Sequence, residues 1–142
     1  ENTGDTPFSF TAALHTYLKV REVEALRIEG LRGLEYIDSA DGDTLKKETG
    51  VGVSIEDEVD RIYRSAPPTL LVREDHRAMG IHSEHFPDAV VWNPWVDKSA
   101  QLADLPADGF RRMLCVEAAA VREPIELAAG ADWWGRQSLI AM

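Results

Sequence analysis

An all-β sandwich or barrel is the fold class the sequence predicts, on three observations. Residues 8–20, "FSFTAALHTYLKV", alternate apolar and polar side chains with a period of two. About ten short β-rich runs recur between turn residues. Helical periodicity is almost absent from the chain.

In the first run, Phe8, Phe10, Ala12, Leu14, Leu18 and Val20 share one parity with Thr16, while Ser9, Thr11, Ala13, His15, Tyr17 and Lys19 share the other. The pattern predicts one half-buried strand, greasy on one face and offering hydroxyls and an imidazole on the other. The following runs, 23–28, 34–37, 51–56, 59–64, 69–74, 78–82 and 88–92, are each short and rich in apolar residues. Asp41-Gly42-Asp43, Gly50 and Pro67-Pro68 punctuate them. A single helical turn is expected at "KSAQLADL" (98–105), before the turn signal Asp108-Gly109. Runs 110–121, 124–128 and 136–141 complete the set, with Gly130 between the last two. No repeat, low-complexity stretch or linker interrupts residues 1–142, so one structural unit is expected.

Composition limits the function classes. The 142 residues are 44% hydrophobic and 28% charged, which supports a packed domain over disorder. A net charge of −10 disfavours nucleic acid and anionic membrane, because neutralising many phosphates needs a basic face. It leaves room for one phosphate group held by a few local donors. No apolar run approaches the ~18 residues of a membrane span, and no leader-like segment stands at the start. The single cysteine, Cys115, has no partner for an intrachain disulfide, so a cytoplasmic protein is expected.

Several residues carry candidate chemistry. His15 lies on the polar parity of its strand, where it is either a functional imidazole or a half-buried ring satisfied by a hydroxyl. Glu117 stands in the apolar run "CVEAAAV": burial would raise its pKa and suit it to proton transfer, whereas an edge position would leave it solvated. In "EDEVDRIYRS" (56–65), Asp60 and Ile62 face opposite Arg61 and Tyr63, so Asp60 either turns towards a cleft or joins a self-paired charged surface. "HSEH" offers His82 and His85 as metal ligands, but their parities differ and nothing completes a ligand spacing. Phosphate-cradling glycine loops, nucleophile elbows and CxxC pairs are absent, which removes nucleotide-dependent and serine-hydrolase readings.

"FPDAVVWNPWVDKS" (86–99) sets two large rings around a strand-ending proline. Pro94 stops the strand, so Trp92, Asn93 and Trp95 are expected at the sheet's rim. There an aromatic face covers the C–H face of a sugar and an amide binds its hydroxyls, or the rings simply pin the turn to the core. Lys98, just beyond, either meets an anion or is solvated.

In order along the chain, "ALHTYLKV", "GLRGLEYID", "VSIEDEVDRIYRS", "VVWNPWVDKSAQLADL" and "MLCVEAAAV" resemble the successive motifs of the hexose-6-phosphate mutarotases, or glucose-6-phosphate 1-epimerases, within the aldose 1-epimerase superfamily. The resemblance runs from about Phe8 to the C-terminus and covers the C-terminal half of a family member. It implies an antiparallel β-sandwich of the galactose mutarotase-like type, here about half of the full sandwich. It further implies interconversion of the α and β anomers of a hexose 6-phosphate, with His15 as general acid, Glu117 as general base and Asp60 as a sugar-hydroxyl ligand. Trp92 and Asn93 join them as expected substrate contacts. No metal or organic cofactor is implied. The expected partners are the phosphorylated hexose and either the missing N-terminal half or a second copy of the chain. The alternative is a non-catalytic carbohydrate-binding or regulatory sandwich derived from the same fold.

Overall fold

The computed structural model describes residues 1–142 as two antiparallel sheets packed face to face. The first sheet holds β1 (Phe8–Leu14), β2 (Tyr17–Lys19), β4 (Glu35–Asp38), β5 (Thr44–Lys47), β7 (Val59–Tyr63), β10 (Asp88–Asn93) and β11 (Met113–Leu127). Its order is β1-β11-β10-β7-β4-β5, with β2 continuing the line of β1 along β11. The second sheet, from β3 (Arg27–Glu29), β6 (Gly52–Val53), β8 (Thr69–Glu74), β9 (Arg77–Glu84) and β12 (Arg136–Ala141), runs β12-β9-β8-β3-β6. The expected antiparallel β-sandwich is therefore present. No helix is long and apolar enough to cross a membrane.

Strand alternation builds the core. Leu18, Tyr36, Val59, Tyr63, Ala89, Val91, Leu114 and Val116 from the first sheet meet Ile28, Val53, Leu70, Val72 and Ile81 from the second. Each fully buried aliphatic side chain here contributes roughly 1.5–3 kcal/mol. The alternate positions of the same first-sheet strands are thereby turned away from the second sheet.

Several elements differ from the sequence expectation. The run 8–20 is two strands, because the Thr16 N–H turns back to the Leu14 carbonyl at 2.9 Å and closes a three-residue turn around His15. His15 is not among the residues of positive φ, so this is the low-strain inverse form of that turn. Residues 23–25 form a 3-10 turn, and only 27–29 pair as a strand. Within 51–56 only Gly52–Val53 pair, and the hydrophilic run Thr44–Lys47, unpredicted, forms β5 at the sheet edge. The expected strand 110–121 begins at Met113, after a 3-10 turn over Gly109–Arg112.

The two expected strands 110–121 and 124–128 are one. β1 pairs Phe10 with Ile125 but Ala12 with Ala120, so residues 121–124 bulge out of register around Pro124. The buried Asp88 carboxylate holds this bulge, its Oδ2 accepting from the N–H groups of Val121 at 3.1 Å and Arg122 at 2.9 Å. The helical turn also starts earlier than expected, as α1 over Trp95–Ser99, with Pro94 as its N-cap and Trp95 entering it at a φ of 54°.

Candidate active site

β11 brings the site together by backbone pairing. Leu14 faces Ala118 and Tyr17 faces Cys115, so the same register sets His15 opposite Glu117 and Thr16 opposite Val116. On its other side, β10 sets Val90 against Glu117 and Trp92 against Cys115. β7 then sets Ile62 against Val90 and Asp60 against Trp92. Residues opposed in antiparallel strands point to the same side. His15, Glu117, Val90 and Ile62 thus form one row, and Tyr17, Cys115, Trp92 and Asp60 the next, on the face turned away from the core.

The closest contact joins His15 Nε2 and Glu117 Oε1 at 3.1 Å. The imidazole side chain is 51% exposed and the carboxylate side chain 6%, so the ring forms the outer member of the pair. Tyr17 stacks on His15 with ring centroids 4.9 Å apart, and the edge of Trp92 meets both rings, at 5.7 Å from His15 and 6.2 Å from Tyr17. This aromatic wall limits where His15 can turn.

The electrostatics favour proton exchange. Burial pushes the Glu117 carboxyl above the usual carboxylate range; His15 pulls it back, and the Asp60 charge adds to the rise. Asp60 is also raised, first by burial, with Lys98 opposing and Glu58 reinforcing the shift. Lys98 bonds Glu58 at 2.8 Å and stands 3.9 Å from Asp60, so the anions it meets are carboxylates of β7 and the turn before it. The Cys115 thiol is pushed far upward by burial and by Glu117.

Asn93 requires a correction. It is fully buried on the core-facing parity, and Nδ2 donates to the carbonyls of Phe110 and Met113 at 2.9 Å each. Its Oδ1 accepts from the Trp95 N–H at 2.9 Å. With both ends of the amide engaged below the surface, Asn93 builds the turn and has nothing to offer a sugar. Trp95 likewise packs on the core, 5.1 Å from the Phe110 ring, whereas Trp92 projects from the site face. The turn-pinning reading therefore holds for Trp95, while Trp92 lies on the face that carries His15 and Glu117.

Sequence reasoning did not single out Tyr17 and Cys115, although Tyr17 shares the polar parity of His15 and Cys115 that of Glu117. The ligand atoms of His15, Cys115 and Glu117 lie within 4.8 Å of one another. Within this group His15 Nε2 and Glu117 Oε1 are already each other's partners at 3.1 Å, and Cys115 is fully buried beside them. His82 and His85 do not converge on one ligand: His82 bonds the Thr69 hydroxyl at 2.9 Å and His85 the Trp134 carbonyl at 2.9 Å.

A surface hollow of about 510 Å³ is lined by Glu24, Arg27, Arg73 and Glu74 among others and contains none of the site residues. It holds no acid and base in contact. The His15–Glu117 pair lies instead on an open sheet face, and chemistry rather than depth identifies it.

A family model described as Aldose 1-epimerase matches residues 1–139. A protein of Cenchrus ciliaris named "Putative glucose-6-phosphate 1-epimerase" is 39% identical over 143 residues, covering 99% of this chain and 44% of its own length. One of the same name from Escherichia coli K12 is 29% identical over 118 residues, with 82% and 40% covered. A crystal structure described as "a putative mutarotase (YeaD) from Salmonella typhimurium" superposes with a TM-score of 0.88 at 24% identity, over 96% of this chain and 46% of that one. The chain thus spans less than half the length of the curated relatives it matches.

Proposed function

The chain belongs to the aldose 1-epimerase family, and from that premise we propose that it carries the acid/base half of an enzyme that interconverts the α and β anomers of a hexose 6-phosphate. The observation that supports this most directly is the 3.1 Å contact between His15 Nε2 and Glu117 Oε1 on an aromatic-lined face. The choice of a phosphorylated sugar rests on the names of the relatives.

The chemistry follows from what mutarotation needs. In the ring-opening step Glu117 takes the proton from the anomeric hydroxyl while His15, as imidazolium, gives one to the ring oxygen. The bond between C1 and the ring oxygen breaks, and its electron pair goes to that oxygen. Rotation of the free aldehyde about the C1–C2 bond and reversal of both transfers close the ring as the other anomer. The two reacting oxygens sit on one carbon, so an acid and a base already in contact suit both transfers. Asp60 accepts a hydrogen bond from a sugar hydroxyl, and Trp92 packs against the C–H face of the ring. The remaining wall of the cleft comes from a further segment of polypeptide or a second copy of the chain.

The test is anomer exchange of glucose 6-phosphate, read by magnetisation transfer in NMR, on the full-length protein. His15→Gln and Glu117→Gln should each slow exchange about 10²–10⁴-fold. Unchanged exchange in both variants would remove the assigned roles. The non-catalytic alternative would instead give tight sugar-phosphate binding with no acceleration.

A further inference from the structure

Opposite the site, on the inner side of β11, an amide from the second sheet completes what the strand break leaves open. Thr16 stands opposite Val116, yet its N–H is spent on the Leu14 carbonyl at 2.9 Å in the turn that carries His15. The Val116 carbonyl accepts instead from Gln137 Nε2 at 2.9 Å. The other end of the same amide, Oε1, accepts from the Thr16 hydroxyl. Gln137 belongs to β12, where it pairs with Ser83, so this bridge crosses from one sheet to the other.

We propose that Gln137 is a positioning residue for proton transfer: by bonding Thr16 and Val116 at once, it holds the turn that presents His15 to Glu117. Three features support it. His15 is the central residue of a turn closed by one backbone hydrogen bond, between the paired ends of β1 and β2, and its side chain is half exposed. Gln137 bonds the side-chain hydroxyl of the residue after His15 and the backbone carbonyl of the residue before Glu117. A glutamine amide donates and accepts at once, which this bridge needs and neither an acid nor an aliphatic side chain supplies.

The catalytic part of this inference rests on the mutarotase reading, so the experiment has two readouts. The first is exchange kinetics of Gln137→Met and Thr16→Val, which keep side-chain volume and remove the bridge from opposite ends. Each should lower kcat about 10–100-fold, since displacing a reacting group by about 1 Å costs that much. KM should change by less than about twofold, because substrate contacts are untouched. The double variant should be no worse than either single, and Thr16→Ser should behave as the parent. The second readout needs no activity: the NOE between the His15 ring and the Glu117 side-chain methylene protons should weaken in Gln137→Met and Thr16→Val and persist in Thr16→Ser. Parent kcat in both bridge-breaking variants, or an undiminished NOE in both, overturns the proposal. If the parent shows no exchange, the mutarotase reading fails and the NOE alone decides the positioning role. Should Gln137→Met fail to fold, Thr16→Val decides it, since that variant leaves the second sheet intact.

Discussion

His15 lies in the turn between β1 and β2, beside Glu117 on β11, and their side chains meet at 3.1 Å on the face away from the core. The ladder pairs on either side of that turn, Leu14 with Ala118 and Tyr17 with Cys115, bring the two side chains together. Their separation depends on backbone pairing more than on long flexible side chains.

The pH dependence of exchange should report Glu117. As the base it must be ionised, and burial lifts its carboxyl, so the rate should fall on acidification above the usual carboxylate range. Asp60 adds to that rise, so Asp60→Asn should move the acid limb of the kcat profile to lower pH while raising KM. An acid limb that stays in place in Asp60→Asn would contradict the electrostatic link.

Stability should show the same group with the opposite sign from an ordinary salt-bridged carboxylate. The folded carboxyl holds its proton more tightly than the unfolded one. Its contribution is therefore most favourable below the unfolded value and is lost as pH rises through the folded one. Glu117→Gln removes that loss. Thermal unfolding at pH 4 and pH 7 should show the variant gaining on the parent at the higher pH, whereas an equal difference at both would argue against a buried, strained charge.

Trp92 and Asn93 should part company when mutated. Asn93→Ala leaves two buried carbonyls and the Trp95 N–H without their partner, which should cost roughly 2–4 kcal/mol in denaturant unfolding. Trp92→Ala removes an aromatic face from the open site and should raise KM about tenfold, with a smaller stability cost. A change in KM as large for a folded Asn93 variant as for Trp92→Ala would restore the direct sugar contact.

Asp88 should matter through one oxygen. Its Oδ2 alone accepts both N–H bonds of the β11 bulge, so Asp88→Asn retains an acceptor and Asp88→Ala does not. Urea unfolding should show Asp88→Ala losing roughly 2–4 kcal/mol and Asp88→Asn about half of that.

Most strands were legible because each buries one face, and a period of two is a local signal: 69–74, which buries Leu70 and Val72, matches its predicted bounds. β5 escaped because Thr44–Lys47 lies at an edge with little buried, so its sequence carries no apolar alternation. The break at His15 and the bulge at 121–124 escaped for another reason. Each is held by a partner remote in sequence, Gln137 in one case and Asp88 in the other.

The sequence by itself determined the all-β class and singled out His15, Glu117 and Asp60 as polar groups on strand positions, with their roles supplied by the family resemblance. Only the tertiary structure decided that they share a face, that Trp92 belongs to it, and that Asn93 is buried and Trp95 packs against the core on the other side. Parity orders residues within one strand, but which parity faces the core, and which residue of the next strand stands opposite, depends on register. Register is set by turns, bulges and hydrogen bonds between segments far apart in the chain.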